Sequence, residues 1–87
     1  MRPYVVELTT AAAREVRKLD PSIRRRIIAR LQELETDPRP PGVRKLAGFD
    51  DAWRVRVGDY RILYEVRDDV VLVTVFRVAH RRDVYEG

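Results

Sequence analysis

The 87-residue sequence predicts an α+β fold: one short strand, a helical hairpin, then a β-meander. Three observations carry this. Apolar residues recur at helical spacing from about residue 11 to residue 35. A proline-rich break, Thr36 to Gly42 (TDPRPPG), stops that pattern. Beyond it, apolar and charged residues alternate at a period of two around a Gly-Asp pair suited to a tight hairpin turn.

Tyr4 to Leu8 (YVVEL) reads as the first strand. Thr9 or Thr10 caps a helix over roughly 11–18, with Ala12, Val16 and Leu19 on its apolar side. Asp20-Pro21 restarts the chain, the aspartate as N-cap and the proline at the first helical position. The second helix runs to about Glu35, and Ile23, Ile27, Leu31 and Leu34 form its buried stripe, widened by Ile28. So short a connection makes the two helices antiparallel. The prolines stop the second helix, and Val43 to Asp51 is expected to stay irregular. Trp53–Val57 (WRVRV) is a half-buried strand, Gly58-Asp59 fits a type II′ turn with glycine first, and Tyr60–Val66 (YRILYEV) returns. Asp68-Asp69 marks another turn. Val70–Val78 is a nearly continuous apolar run, expected inside a sheet.

Residues 1–87 are read as a single domain, since a chain of this length can bury one modest core. Without cysteine there is neither a disulfide framework nor a thiolate metal site. The lone histidine and scattered carboxylates offer no metal-ligand spacing, and no Gly-rich phosphate loop or Ser/His/Asp constellation occurs. No apolar run approaches the ~20 residues of a membrane span, and the N-terminus lacks a signal-peptide core, so a cytoplasmic protein is expected. The net charge is +4, and sixteen of the eighteen basic residues are arginine, Lys18 and Lys45 being the exceptions. Arginine presents a planar five-donor fork that binds phosphate bidentately and stays charged.

Where the arginines fall follows from pairing the hairpin. A two-residue turn sets Val57 opposite Tyr60, Arg56 opposite Arg61, Val55 opposite Ile62 and Arg54 opposite Leu63. Trp53, Val55, Val57, Ile62, Tyr64 and Val66 then share a face that packs on the helices, while Arg54, Arg56, Arg61 and Glu65 share the other. Opposed Arg56 and Arg61 cost up to ~1 kcal/mol unless compensated, by a phosphate over the sheet, by Glu65, by an acidic partner or by solvent screening. That face suits phosphate binding, or equally an ordinary solvated surface. The tail adds His80, Arg81, Arg82 and Tyr85: an imidazole, the side chain that ordinarily titrates near neutrality, two phosphate binders and an aromatic ring. In the second helix, Arg24, Arg25 and Arg26 cannot share one face, so most of that run, with Arg30, is expected to be solvated. Tyr4, Trp53, Tyr60 and Tyr64 read as core or core-edge residues.

The stretches YVVELTTAAAREVRKLD, DPRPPGVRKLAG, WRVRVGDYRILYEV and HRRDVY together resemble the RelE/ParE toxin superfamily over nearly the whole chain. The resemblance implies a β-α-α-β-β-β order with a twisted antiparallel sheet packed on the N-terminal helical hairpin. It implies a metal-independent endoribonuclease without cofactor, cutting mRNA in the ribosomal A site by attack of a 2′-hydroxyl on the adjacent phosphate. Carried over by motif, the catalytic set is Arg56, Arg61, Arg81 and Tyr85, with Arg54, Lys45 and Arg82 as further RNA contacts. Where the best-known RelE pattern has two lysines, this chain has Arg54 and Arg56, which do not deprotonate usefully. His80 is then the expected general base and Glu65 the second choice, while Tyr85 is expected to stack on a nucleobase. The implied partners are an acidic RelB-like antitoxin, the ribosome and its mRNA, with operator DNA reached only through the antitoxin complex. A ParE-like gyrase inhibitor without catalysis, or an inactive member that only binds its antitoxin, are the alternatives.

Overall fold

A computed structural model describes residues 3–84. Strand β1 (Val5–Leu8) leads into helix α1 (Thr10–Arg17) and helix α2 (Pro21–Thr36). Strands β2 (Arg44–Lys45), β3 (Ala52–Val57), β4 (Tyr60–Arg67) and β5 (Leu72–His80) follow, with 3-10 turns at Asp68–Val70 and Arg81–Asp83. The α+β order is as read from the sequence.

Local chemistry sets the helix ends. Thr9 caps α1, its side chain accepting from the Ala12 N–H at 3.1 Å. Asp20 occupies the N-cap of α2 but its carboxylate makes no capping bond; Pro21 alone starts that helix, having no N–H to satisfy. Arg24 reaches back and donates, through Nη2, to the Leu19 carbonyl at 2.9 Å, closing the connection between the helices.

The sheet order is β1-β5-β4-β3-β2. The hairpin register is the one expected, from Val57 with Tyr60 to Arg54 with Leu63, and Gly58 takes the positive φ of +58° that the turn requires. Three features differ from the expectation. The sheet is mixed: β1 lies parallel to β5, Val5 pairing with Leu72 and Leu8 with Val75. No local turn joins these two strands, and the helices and meander between them carry the chain back to the same starting edge. The segment expected to be irregular holds β2, where Arg44 pairs with Arg54 and Lys45 with Trp53. Strand β5 begins at Leu72, because Asp68–Val70 forms a 3-10 turn and Val71 is left-handed at φ 54°.

Ile27, Leu31 and Leu34 of α2 and Ala12 and Val16 of α1 pack on Val55, Ile62, Tyr64, Val66, Val73, Val75 and Val78. The fully buried Tyr64 donates its hydroxyl to the Pro38 carbonyl at 2.7 Å, tying the proline loop to the sheet. Beyond Leu8, β1 no longer covers β5, and Glu15 of α1 takes over: Oε1 accepts from the Val78 N–H at 2.7 Å, and Oε2 meets Arg77 Nε at 3.3 Å. At the far end, Arg39 and Tyr4 both donate to Asp68, holding its carboxyl below the usual carboxylate range.

The outer face is not bare. A register shift between Leu63 and Tyr64 leaves Phe76 as the extra residue on β5. Phe49, from the β2–β3 loop, lies 6.4 Å from it, centroid to centroid. Ala52, Leu63 and Ala79, all on the outer side by strand alternation, are buried. The β2–β3 loop reaches that side through Phe49.

Candidate functional site

The outer face carries its arginines in two adjacent rows. One runs Arg44, Arg54, Leu63, Arg77 across β2, β3, β4 and β5; the next runs Arg56, Arg61, Ala79. Neighbouring strands lie about 4.8 Å apart and same-face residues about 6.8 Å apart along a strand. Arg44, Arg54, Arg56 and Arg61, on β2, β3 and β4, therefore begin within a patch one phosphodiester unit or two across. The register alone dictates this grouping, and the electrostatics follow it. Burial chiefly, then the charges of Arg61, Arg44 and Arg56, lower the Arg54 pKa below the ordinary arginine value. Arg61 is lowered by burial first, then by Arg56 and Arg81, with Asp59 acting the other way.

Arg61 sits at the centre. It is 8% exposed, the one charged residue in the buried class among the described residues, and Nη1 donates to the Tyr60 carbonyl at 3.2 Å. An arginine stays protonated even in a partly desolvated patch of like charge, and its fork can take an anion there bidentately. Arg81 joins the patch from the turn after β5. Its N–H donates to the Asp59 carbonyl at 2.7 Å and its Nε lies 3.8 Å from Asp59 Oδ1, so the two turns are fastened together.

Of the residues singled out in the sequence, Arg54, Arg56, Arg61 and Arg81 thus come together. Lys45 does not: it pairs with Trp53, which faces the helices, and its neighbour Arg44 takes the outer position. His80 does not either. It pairs with Tyr60 on the helix-facing side, the rings meeting edge-on at 5.3 Å, whereas Arg61 pairs with Ala79 on the other side. Its Nδ1 accepts from the Arg82 backbone N–H at 3.2 Å and from Arg82 Nε at 3.3 Å, capping the 3-10 turn that carries Arg81. Arg82 is thereby turned toward His80 and away from the patch. Glu65 shares the outer face but lies four residues along β4 from Arg61, roughly 13 Å. Tyr85 lies outside the described residues. The residue that sequence reasoning missed is Arg44, and a two-residue strand gives too little alternation to reveal it.

A family model described as "ParE toxin of type II toxin-antitoxin system, parDE" matches residues 6–85. The chain is 38% identical over 87 residues to the toxin RelG of Mycobacterium tuberculosis, covering 95% of this chain and 97% of that protein. It is 31% identical over 80 residues to the mRNA interferase toxin RelE of Escherichia coli K12, covering 90% and 83%. Among solved structures it resembles a chain of the archaeal RelE-RelB complex from Pyrococcus horikoshii, with a TM-score of 0.82, 26% identity, and 94% and 99% coverage. It also resembles a chain of the toxin-antitoxin complex RelBE2 from Mycobacterium tuberculosis, with a TM-score of 0.81, 33% identity, and 95% and 97% coverage.

Proposed function

The chain belongs to the RelE/ParE toxin superfamily, and on that premise we propose that it is the toxin of a toxin–antitoxin pair and cuts mRNA on the ribosome. The observation that carries this reading is the guanidinium patch: Arg44, Arg54, Arg56, Arg61 and Arg81 on one side of the sheet, with Arg61 buried among them. Such a patch suits a strand of phosphates, because each fork can take two non-bridging oxygens at once.

In the proposed reaction the 2′-oxygen attacks the adjacent phosphorus, and the bond from phosphorus to the 5′-oxygen breaks. The 2′-hydroxyl loses a proton and the departing 5′-oxygen gains one, leaving a 2′,3′-cyclic phosphate and a free 5′-hydroxyl. Charge on the non-bridging oxygens grows as the fifth bond forms, and Arg61, Arg56 and Arg81 stabilise it; such preorganised donors are commonly the largest catalytic contribution. Arg54 and Arg44 hold the flanking phosphates. His80 acts through Arg81, as a positioning residue that caps the turn, and protons pass through solvent. This revises the sequence expectation of a histidine base, since the imidazole is on the wrong side of the sheet. An acidic antitoxin of the RelB kind is the fitting inhibitor: its carboxylates would neutralise the same patch.

The description of the matching family model favours a second reading, a ParE-like inhibitor of DNA gyrase that cleaves nothing. The purified chain is added to translating ribosomes and mRNA ends are mapped by primer extension. Cuts at the A site are expected; intact mRNA, with gyrase–DNA breaks accumulating in cells, would establish the second reading instead.

A further inference from the structure

A second basic site lies around the edge of β3 from the patch. A cleft of about 360 Å³ opens between α2 and the β3–β4 turn, lined by Arg26, Arg30, Glu33, Arg56, Val57 and Gly58 among others. Strand β2 covers β3 only at Trp53 and Arg54, so the edge along Val55 to Val57 is left for α2 to face. Three guanidiniums meet one carboxylate there. Glu33 is already engaged, its Oε2 lying 2.8 Å from Arg30 Nη1, and the Arg30 Nε is buried with no hydrogen-bond partner. Among the described residues, neither Arg26 nor Arg56 makes an ion pair or a side-chain hydrogen bond.

The Arg26 guanidinium lies close against the hairpin turn. A Cβ at position 58 would stand 3.1 Å from its Nη2 and 3.3 Å from its Nη1, so glycine there leaves room for the fork. Guanidiniums from two separate elements thus line one cleft, where a single anion can bridge them. Arg56 belongs both to this cleft and to the patch, where its charge acts on Arg54 and Arg61. The basic ground is therefore continuous around the sheet edge.

We propose that this cleft is a phosphate-binding site for the backbone of double-stranded RNA, separate from the strand that lies on the sheet. A duplex strand presents a regular row of phosphate charges, so it can occupy a continuous basic track at several points, where a single acidic side chain fills only one. The site takes shape and charge, not sequence, because an RNA duplex turns its phosphates outward while its deep, narrow major groove keeps the base edges from side chains. The ligand's identity as RNA rests on the ribonuclease reading, whereas the cleft's affinity for phosphate needs no cleavage.

The test is a titration of the isotopically labelled full chain with a short RNA duplex, watching the Gly58 amide and the Arg26 side-chain Nε–H. Both signals are expected to shift. Arg26→Ala should weaken duplex affinity about 5- to 10-fold and flatten the slope of log K against log salt by about 0.9, the loss of one phosphate contact. Arg26→Lys should restore most of the slope, because it restores the charge. Cleavage at saturating ribosomes should be unchanged in either variant. Shifts confined to the sheet patch, or an unchanged slope in the alanine variant, would overturn the site. So would shifts seen with an acidic peptide but not with the duplex. If the cleft binds the duplex while mRNA stays intact, the ribonuclease reading falls and the phosphate site stands.

Discussion

Arg61 is the residue on which the proposed chemistry turns. Its guanidinium is among the most enclosed groups of the outer face, and its bond to the Tyr60 carbonyl fixes the fork before any substrate arrives. Removing one such preorganised donor typically costs 10²- to 10³-fold in rate, so Arg61→Ala is expected to slow single-turnover cleavage by at least ~10²-fold. Arg61→Lys keeps the charge but loses the bidentate geometry, and recovery of no more than a tenth of the wild-type rate is expected. His80 should behave differently. If it were the base, the log of the rate would fall by one per pH unit below its titration and His80→Ala would abolish that limb. As a cap on the turn, it should leave the shape of the profile between pH 6 and 8 intact and lower the whole curve about tenfold or less. The sequence exposed Arg61 as a cross-strand partner of Arg56, but not its burial. That burial comes from neighbours far along the chain, such as Ala79 on β5.

At the scale of elements, the β3–β4 hairpin was the most legible part of the sequence. A period of two and a Gly-Asp pair determine its register, and the register determines which arginines meet. The parallel pairing of β1 with β5 was not legible, since Val5 and Leu72 are brought together by everything between them. Nor was the meeting of a loop phenylalanine, Phe49, with Phe76 at the bulge of β5. Gly58 joins the two kinds of information. Its positive φ was expected from the turn; the Arg26 fork resting on it was not. An alanine there pays roughly 1–2 kcal/mol for a left-handed φ, and its methyl group also crowds the fork. Gly58→Ala should therefore lower the thermal midpoint by at least about 4 °C, by calorimetry. A midpoint within a degree of wild type would mean that the turn is not constrained in this way.

Over the whole molecule, charge is distributed unevenly, and the unevenness matters more than the net +4. Acidic groups are spent locally: Glu33 on Arg30, Asp68 on Arg39, and Glu15 on Arg77 and the Val78 N–H. Five arginines from four separate segments gather on one face, Arg44, Arg54, Arg56, Arg61 and Arg81, the last of them beside Asp59. Affinity for a single RNA strand should then be dominated by counterion release, with a slope of log K on log salt near −0.7 for each phosphate held. Five contacts give a slope of about −3.5, so binding should weaken about a hundredfold between 50 and 200 mM salt. Fluorescence anisotropy with a labelled single strand measures this directly. Arg54→Ala should make the slope shallower by about 0.7 whatever the RNA sequence, because a phosphate contact carries no base information. A change that depended on sequence would instead mean that Arg54 reads a base. An unchanged slope would remove it from the RNA-binding patch altogether.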